Sequence, residues 1–203
     1  MRARADDGGD KHVIAAVVLA AGGASRFGSA KQLAQLDGAP LLEHAIRAVE
    51  AVPAIEKIVV VLGARSAEIR AGVDFGSAEA VVCEDWDSGQ AASLRCGIAA
   101  VRDAEAVVVT LGDMPRITPQ VIARFADLAD EFGEHTRARG VFDGAPGHPV
   151  ALGSAYFAEI SELRGDVGAR DVLKRIGAFP IECGHLCSGI DIDTPQALED
   201  LRS

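Results

Sequence analysis

Short apolar runs rich in Val and Ala alternate with helical patterns through the first two-thirds of this chain, and no other feature constrains its fold as strongly. Runs of this kind suit strands that are buried on both faces of a sheet. In chain order they are Ile14–Ala20, Lys57–Leu62, Ala80–Cys83 and Ala106–Leu111. The helical patterns between them are Pro40–Val52, Ser66–Ala71 and Gln90–Val101. Because such alternation forms βαβ units, the sequence predicts an α/β fold with a mostly parallel sheet and helices on both faces.

The last third of the chain has a different pattern. A further helix is predicted to start at Thr118-Pro119, where a capping hydroxyl precedes a proline at the first helical position. Its apolar face is expected to pack on the sheet through Val121, Ile122, Phe125, Leu128 and Phe132. Beyond this helix, Pro146–Val150 and Gly165–Arg170 are rich in turn-forming residues, and Pro195–Leu201 has the pattern of a closing helix. We therefore expect an irregular C-terminal third.

Length and charge limit the classes of function. The chain has 203 residues, which predicts a single domain over residues 13–203 after a polar, flexible leader at residues 1–12. A formal net charge of −10 would repel a nucleic-acid backbone, and no apolar run approaches the roughly 20 residues of a membrane-spanning helix. We therefore expect neither nucleic acid nor a membrane as a partner.

The cysteines and the polar start of the chain favour a cytoplasmic location. The start lacks the apolar segment of a signal peptide. Cys183 and Cys187 enclose His185 and suggest a metal hook, but a zinc site normally needs a second hook, which the sequence lacks. We therefore interpret all four cysteines as thiols of a reducing compartment. They are Cys83, Cys96, Cys183 and Cys187.

A glycine-rich segment, Ala21–Lys31, follows the first predicted strand directly. Glycines there let the backbone turn sharply and bring successive amides close to an anion, and Arg26 and Lys31 add positive charge, as a triphosphate requires. The segment lacks the Gly-Lys-Ser/Thr ending of a Walker A loop and the Gly-x-Gly-x-x-Gly of a dinucleotide fingerprint. Taken alone, it is also compatible with a plain turn carrying exposed basic residues.

Asp113 follows the fourth predicted strand within Gly112–Pro115. In an open α/β sheet, ligands bind beyond the carboxyl ends of the strands, so Asp113 and the glycine-rich segment are expected at the same edge. A carboxylate there can hold Mg²⁺, which prefers oxygen ligands and triphosphate oxygens. The alternative is an aspartate that caps the following turn.

Together, six ordered motifs resemble the family of molybdenum cofactor guanylyl- and cytidylyltransferases, which has a MobA-like NTP transferase domain. The resemblance covers nearly all of the chain from Ile14 to Leu201, and the cytidylyltransferase branch is the more similar one. The motifs are Leu19–Gly28 with Lys31, Ser88-Gly89 with Ser93-Leu94, Gly112–Pro115, Gly147–Val150, Gly165-Asp166 with Gly168–Arg170, and Asp191–Pro195.

The resemblance implies a Rossmann-like three-layer sandwich and assigns residues to one site. Catalytic roles are implied for Lys31, Asp113 and Asp191, and Mg²⁺ ligation for Asp113 with Asp191 or Asp193, of which we favour Asp191. Asp191 and Asp193 could also share this role, or the pair could serve merely as an N-cap for the last helix. Nucleotide binding is implied for Ala20, Ala21, Gly22, Gly23, Arg26, Lys31, Ser88, Gly89, Ser93 and Asp113. Acceptor binding is implied for Gly147, His148, Asp166 and Arg170, although His148 could be a turn residue and Arg170 could form an exposed ion pair.

The implied reaction is transfer of a nucleoside monophosphate, favouring CTP over GTP, onto a phosphorylated, molybdopterin-type acceptor. Pyrophosphate leaves, and a molybdoenzyme is a further expected partner. Two other functions are open. One is an NAD(P)H-dependent oxidoreductase on the same scaffold, against which the missing dinucleotide fingerprint counts. The other is a non-catalytic molybdoenzyme chaperone, against which the joint presence of Lys31, Asp113 and Asp191 counts.

Overall fold

A seven-stranded sheet with helices on both faces forms the centre of the molecule. The computed structural model describes residues 13–23, 27–165 and 169–202 and, for residues 169–171, the backbone only. The predicted leader at residues 1–12 lies outside the described residues. The strands are β1 Ile14–Ala20, β2 Gln35–Leu36, β3 Ala39–Pro40, β4 Lys57–Leu62, β5 Glu79–Val82, β6 Ala106–Leu111, β7 Arg137–Phe142, β8 Ala145–Gly153 and β9 Phe179–Glu182.

The sheet has the strand order β5-β4-β1-β6-β8-β7-β9, and β2 and β3 form a separate two-stranded ladder. Four of the six neighbouring pairs in the large sheet are parallel; β8 runs antiparallel to both β6 and β7. The helices are α1 Leu41–Glu50, α2 Ser66–Gly72, α3 Gln90–Ala100, α4 Pro119–Phe132, α5 Phe157–Ser161, α6 Ala169–Arg175 and α7 Pro195–Arg202. The predicted α/β sandwich with a mostly parallel sheet is confirmed.

β1 shows why the apolar runs become central strands. Successive side chains of a strand point to opposite faces, and every residue of β1 is apolar. Ala16 and Val18 are buried in a cluster that includes residues of α1 and α4. Ala15 and Val17 are buried on the other face, in a cluster that includes residues of α3 and α5. A strand covered on both faces in this way needs apolar side chains at every position.

The predicted elements of the first two-thirds are found with small shifts at their ends. β1, β4 and β6 have the predicted bounds, and α4 begins as predicted, with the Thr118 hydroxyl accepting a hydrogen bond from the amide of Val121. Pro40 is the N-cap of α1 rather than its first residue. Phe132, predicted on the buried face of α4, is half exposed because the helix ends there, beyond the edge of the core.

The expected irregular C-terminal third is wrong, because β7, β8 and β9 extend the sheet there. β7 and β8 form a hairpin whose turn, Asp143-Gly144, has positive φ at both residues, as a two-residue hairpin turn requires. Pro146–Val150, expected as turns, lies within β8. Pro146 lies opposite Val141 in the paired part of the hairpin, whereas Arg139 pairs with Val150 and Gly140 pairs with Gly147. His148 and Pro149 therefore form a bulge with no residue opposite them.

None of the described helices is both long and apolar enough to cross a membrane.

Candidate active site

A cleft of about 1120 Å³ lies beyond the carboxyl ends of β1 and β6 and extends over the β7–β8 hairpin. The carboxyl ends of parallel strands meet at one edge of a sheet, which is why residues far apart in sequence converge here. The structure brings twelve of the predicted site residues into the wall of this cleft. They are Ala20, Ala21, Gly22, Gly23, Lys31, Gly89, Ser93, Asp113, Gly147, His148, Asp191 and Asp193.

Four predicted site residues are not placed in the cleft wall. Ser88 ends a short 3-10 turn, where its hydroxyl donates a hydrogen bond of 2.7 Å to the carbonyl of Asp85. Arg26 and Asp166 lie outside the described residues. Arg170 belongs to α6, of which the structure describes only the backbone at that position.

The glycine-rich segment is held in place by Gln32, which the sequence analysis did not single out. Its buried amide donates a hydrogen bond of 2.7 Å to the carbonyl of Ala20 and one of 3.4 Å to that of Gly22. These two carbonyls therefore accept hydrogen bonds from the side chain that directly follows the segment. The Trp86 ring lies beside Gly23 and closes the segment on the β5 side of the cleft.

Lys31 is paired with two carboxylates across the cleft. Its Nζ lies 2.5 Å from Oδ2 of Asp113 and 2.9 Å from Oδ1 of Asp193. Burial alone would lower the pKa of Lys31, but the two carboxylates outweigh it and raise the pKa above its ordinary value. Lys31 is therefore a permanent cation at the edge where β1 and β6 end.

Asp113 combines burial with an unused acceptor. Its Oδ1 is buried and has no hydrogen-bond partner among the described residues. Burial raises the pKa of the Asp113 carboxyl, the charge of nearby Asp191 raises it further, and Lys31 acts in the opposite direction. A buried carboxylate oxygen without a donor is costly, so this atom is suited to a cation that arrives with the substrate.

Asp191 is held near Asp113 by the backbone. The amide of Ile192, which is itself buried, donates a hydrogen bond of 2.9 Å to the carbonyl of Asp113. The described residues contain no cluster of three or more His, Cys, Asp or Glu side chains able to hold a metal. Asp113 and Asp191 thus offer a two-carboxylate set, the kind that binds Mg²⁺ together with water and substrate phosphates. The residues present fit such an ion.

His148 occupies the hairpin end of the cleft. Burial lowers its pKa from 6.5 to about 4, and the charge of Asp191 opposes this shift only in part. The imidazole is therefore neutral near pH 7 and can both donate and accept a hydrogen bond. Gly147 and Pro146 line the cleft on the same strand.

Six polar or aromatic side chains of the cleft wall were not predicted as site residues. They are Gln32, Trp86, Asp87, Gln90, Arg139 and Lys174. The first four stand beside the motifs at Lys31 and Ser88-Gly89, so proximity to a motif was an available signal. Arg139 lies in β7, which was not predicted as a strand, and Lys174 lies on α6, which was not predicted as a helix and begins within the turn-rich Gly165–Arg170. No local pattern marks either of them.

The fold and this cleft define a nucleotidyltransferase. Residues 16–179 match the family model of the MobA-like NTP transferase domain. The match extends over well more than half of the chain, and the chain therefore belongs to this family. The predicted family and the predicted class of enzyme are confirmed.

Individual relatives give a less uniform picture. Nicotine blue oxidoreductase of Paenarthrobacter nicotinovorans is 28% identical over 198 residues, which cover 93% of this chain and 96% of the relative. A probable molybdenum cofactor guanylyltransferase of Pyrococcus horikoshii is 28% identical over 151 residues, covering 74% of this chain and 73% of the relative.

Solved structures of one mycobacterial protein resemble this fold. Rv0371c of Mycobacterium tuberculosis H37Rv has a TM-score of 0.79 and 26% identity, with 94% of this chain and 98% of that chain covered. A structure of Rv0371c in complex with manganese has a TM-score of 0.73 at 26% identity and covers 93% of this chain and 97% of that chain.

Proposed function

We propose that this nucleotidyltransferase transfers CMP from CTP to the terminal phosphate of a molybdopterin-type acceptor, with Mg²⁺ as the cofactor and pyrophosphate as the leaving group. The observation that supports this most strongly is the orphaned, buried Oδ1 of Asp113, whose other oxygen pairs with Lys31 and whose carboxyl is within the electrostatic influence of Asp191. The name of the Pyrococcus relative supports the acceptor, and the manganese complex of Rv0371c supports a divalent metal.

In this reaction an oxygen of the acceptor phosphate forms a bond to the α-phosphorus of the NTP, and the bond from that phosphorus to the bridging oxygen of pyrophosphate breaks. The backbone amides of the glycine-rich segment bind the triphosphate, together with Arg26. Lys31 stabilises the negative charge that develops on pyrophosphate. Asp113 and Asp191 would hold Mg²⁺, and the ion would supply positive charge to neutralise phosphate oxygens. A phosphate monoester is already ionised near neutral pH, so the reaction needs no general base.

The preference for CTP rests on the glycine-rich segment. The end of β1 and the start of this segment read Leu19-Ala20-Ala21-Gly22, the form that resembles the cytidylyl branch, whereas the Pyrococcus relative is named for guanylyl transfer. Gly89 and Ser93 line the cleft on the β5 side of the nucleotide end and are available to the base. A base pocket discriminates through hydrogen bonds, because a wrong base leaves buried polar groups unpaired. A reducing, cytoplasmic compartment and a molybdoenzyme that receives the product complete the proposal.

A second candidate is the oxidoreductase activity suggested by the name of the relative from Paenarthrobacter. The described part of the glycine-rich segment argues against a bound dinucleotide. A dinucleotide pyrophosphate rests on the N-terminus of the helix that directly follows the first strand. Here β1 leads instead to a 3-10 turn at Lys31–Leu33 and the small β2–β3 ladder, and α1 begins only afterwards.

The two functions separate in one set of assays. The protein is incubated with Mg²⁺, molybdopterin and each of the four NTPs, and pyrophosphate release is measured; NADH and NADPH oxidation is followed in parallel. We expect pyrophosphate release only when NTP and acceptor are both present, and fastest with CTP. Faster release with GTP would replace the proposed donor while leaving the reaction intact. Cofactor oxidation without any NTP binding would favour the oxidoreductase.

A further inference from the structure

Arg139 has an unused guanidinium group in the wall of the cleft. Its Nε is buried, and the side chain makes no hydrogen bond or ion pair with any residue that the structure describes. Arg139 pairs with Val150 directly beside the His148–Pro149 bulge of β8. The next residue, Gly140, lies so close to the His148 carbonyl that an added Cβ would come within 3.1 Å of it. The backbone of β7 is thus in close contact with the bulge, and this contact fixes the backbone position of Arg139.

Arg137 shows what a structural arginine of the same strand looks like. Side chains two residues apart in a strand share a face, so Arg137 and Arg139 extend from the same side of β7. Arg137 donates a hydrogen bond of 3.1 Å to the carbonyl of Ile176, and its guanidinium lies 5.4 Å from the centre of the Phe179 ring. It lies outside the cleft wall. The hydrogen-bonding groups that the fold supplies to Arg137 are missing at Arg139.

Arg139 lies at the end of the cleft opposite the proposed nucleotide site. The glycine-rich segment follows β1, and Trp86, Gly89 and Ser93 lie further toward β5. β7 lies on the other side, three strand spacings, or about 14 Å, from β1. The surroundings of Arg139 include neutral His148 and the exposed cation Lys174 of α6. Asp191, whose charge acts on His148, adds one carboxylate, so Arg139 and Lys174 outnumber it and this end suits an anion other than the triphosphate.

We propose that Arg139, assisted by Lys174, binds the phosphate monoester of the acceptor and so makes this enzyme selective for phosphorylated acceptors. The inference rests on the proposed nucleotidyl transfer. A guanidinium presents two parallel N–H donors to a phosphate, and this geometry both holds the group and orients one of its oxygens. Partial burial of Nε strengthens the interaction because water competes less for it.

The test uses a pair of ligands that differ by one phosphate, neopterin 3′-phosphate and neopterin. Their affinities are measured by calorimetry for the wild-type chain, Arg139→Met, Arg139→Lys and the control Arg137→Met, each in the presence of Mg²⁺ and a non-hydrolysable CTP analogue. We expect the wild-type chain and Arg137→Met to bind the phosphorylated pterin at least about tenfold more tightly, which is the effect of one charge-assisted contact. Arg139→Met should lose this preference, and Arg139→Lys should retain part of it.

Binding of the CTP analogue distinguishes failure of this inference from failure of the proposed function. We expect its affinity to be the same in the wild-type chain and in both Arg139 variants. A phosphate preference that persists in Arg139→Met, or a wild-type chain that binds CTP but neither pterin preferentially, would overturn the assignment of Arg139. Weakened CTP binding in Arg139→Met would instead indicate that Arg139 binds the nucleotide. A wild-type chain that binds no NTP would instead refute the proposed nucleotidyl transfer.

Discussion

The two halves of the sheet contribute to the cleft in different ways. In the parallel half, β4, β1 and β6 are almost wholly buried, and the charged side chains that reach the cleft follow the strands, as Lys31 and Asp113 do. In the antiparallel half, the cleft is lined by residues within the strands, Arg139 on β7 and His148 on β8. The side chains of a strand that is buried on both faces pack in the core, whereas a hairpin near the edge of the sheet can direct polar side chains toward a ligand.

This difference separates two kinds of recognition. The parallel half offers backbone amides, one lysine and carboxylates, which suit a triphosphate with its metal. The antiparallel half offers long or neutral polar side chains around a bulge, which suit a second, smaller substrate. Substitutions in the parallel half should therefore affect nucleotide and metal, and those in the hairpin should affect the acceptor or stability.

The largest effect is expected from Asp113→Asn. This change removes a charge from the buried carboxylate that is expected to hold the metal, so transfer should fall by about a thousandfold or more. The measurement is pyrophosphate release, with circular dichroism to establish that the fold is retained. Asp103→Asn is the matched control, since Asp103 precedes β6 whereas Asp113 follows it, and the Asp103 side chain is 95% exposed. Near-normal turnover in Asp113→Asn would show that Asp113 is not the metal ligand on which transfer depends.

The next effect is expected from Lys31→Met. Loss of this cation should weaken binding of Mg²⁺-CTP by roughly 10- to 100-fold, the range for one charge-assisted contact. Titration calorimetry with CTP measures it, and Arg26→Ala should act in the same direction. Lys57→Met is the control, because Lys57 also lies near a carboxylate, Glu79, but at the start of β4. Equal affinities in all of these variants would mean that the segment after β1 does not bind triphosphate.

Asp191 and Asp193 should differ by a smaller factor. Asp191→Asn should reduce turnover about tenfold more than Asp193→Asn, because the charge of Asp191 acts on Asp113, whereas Asp193 forms an ion pair with Lys31. Turnover and the concentration of Mg²⁺ for half-maximal rate are measured for both. If Asp193→Asn were inactive and Asp191→Asn active, the metal ligand would be Asp193.

The smallest effect concerns stability and His148. Its pKa is about 4 in the folded chain against an ordinary 6.5, so the unfolded chain takes up a proton first as the pH falls. The contribution of the neutral imidazole to the free energy of unfolding is complete above pH 6.5 and is lost between pH 6.5 and 4. The free energy of unfolding of the wild-type chain should decrease as the pH falls through this window. We expect this decrease to be smaller in His148→Gln by about 1–3 kcal/mol.

Urea unfolding of the wild-type chain and His148→Gln at pH 7.5 and pH 4.5 measures this difference. His135→Gln serves as the control, because the side chain of His135 is 73% exposed. Identical pH dependence in the wild-type chain and His148→Gln would show that His148 is not buried in its neutral form.

The sequence supported predictions best where local pattern and burial agree. β1, β4 and β6 could be located because a central parallel strand needs apolar residues throughout. Asp113 could be placed at the ligand edge because it directly follows such a strand. β8 could not be located in the same way, since one of its two prolines, Pro149, lies at a bulge that the pairing with β7 defines. The Asp143-Gly144 turn was the available hairpin signal, and the interpretation overlooked it.

The sequence by itself determined the class of fold, the family, and the identity of Lys31, Asp113 and Asp191 as candidates, because motif order and burial pattern are properties of the chain. Only the tertiary structure decided that Lys31 lies between Asp113 and Asp193, that Oδ1 of Asp113 lacks a donor, and that Arg139 differs from Arg137. Each of these facts depends on distances between segments far apart in sequence. Such distances arise when strands pair and the core packs, and no local pattern encodes them.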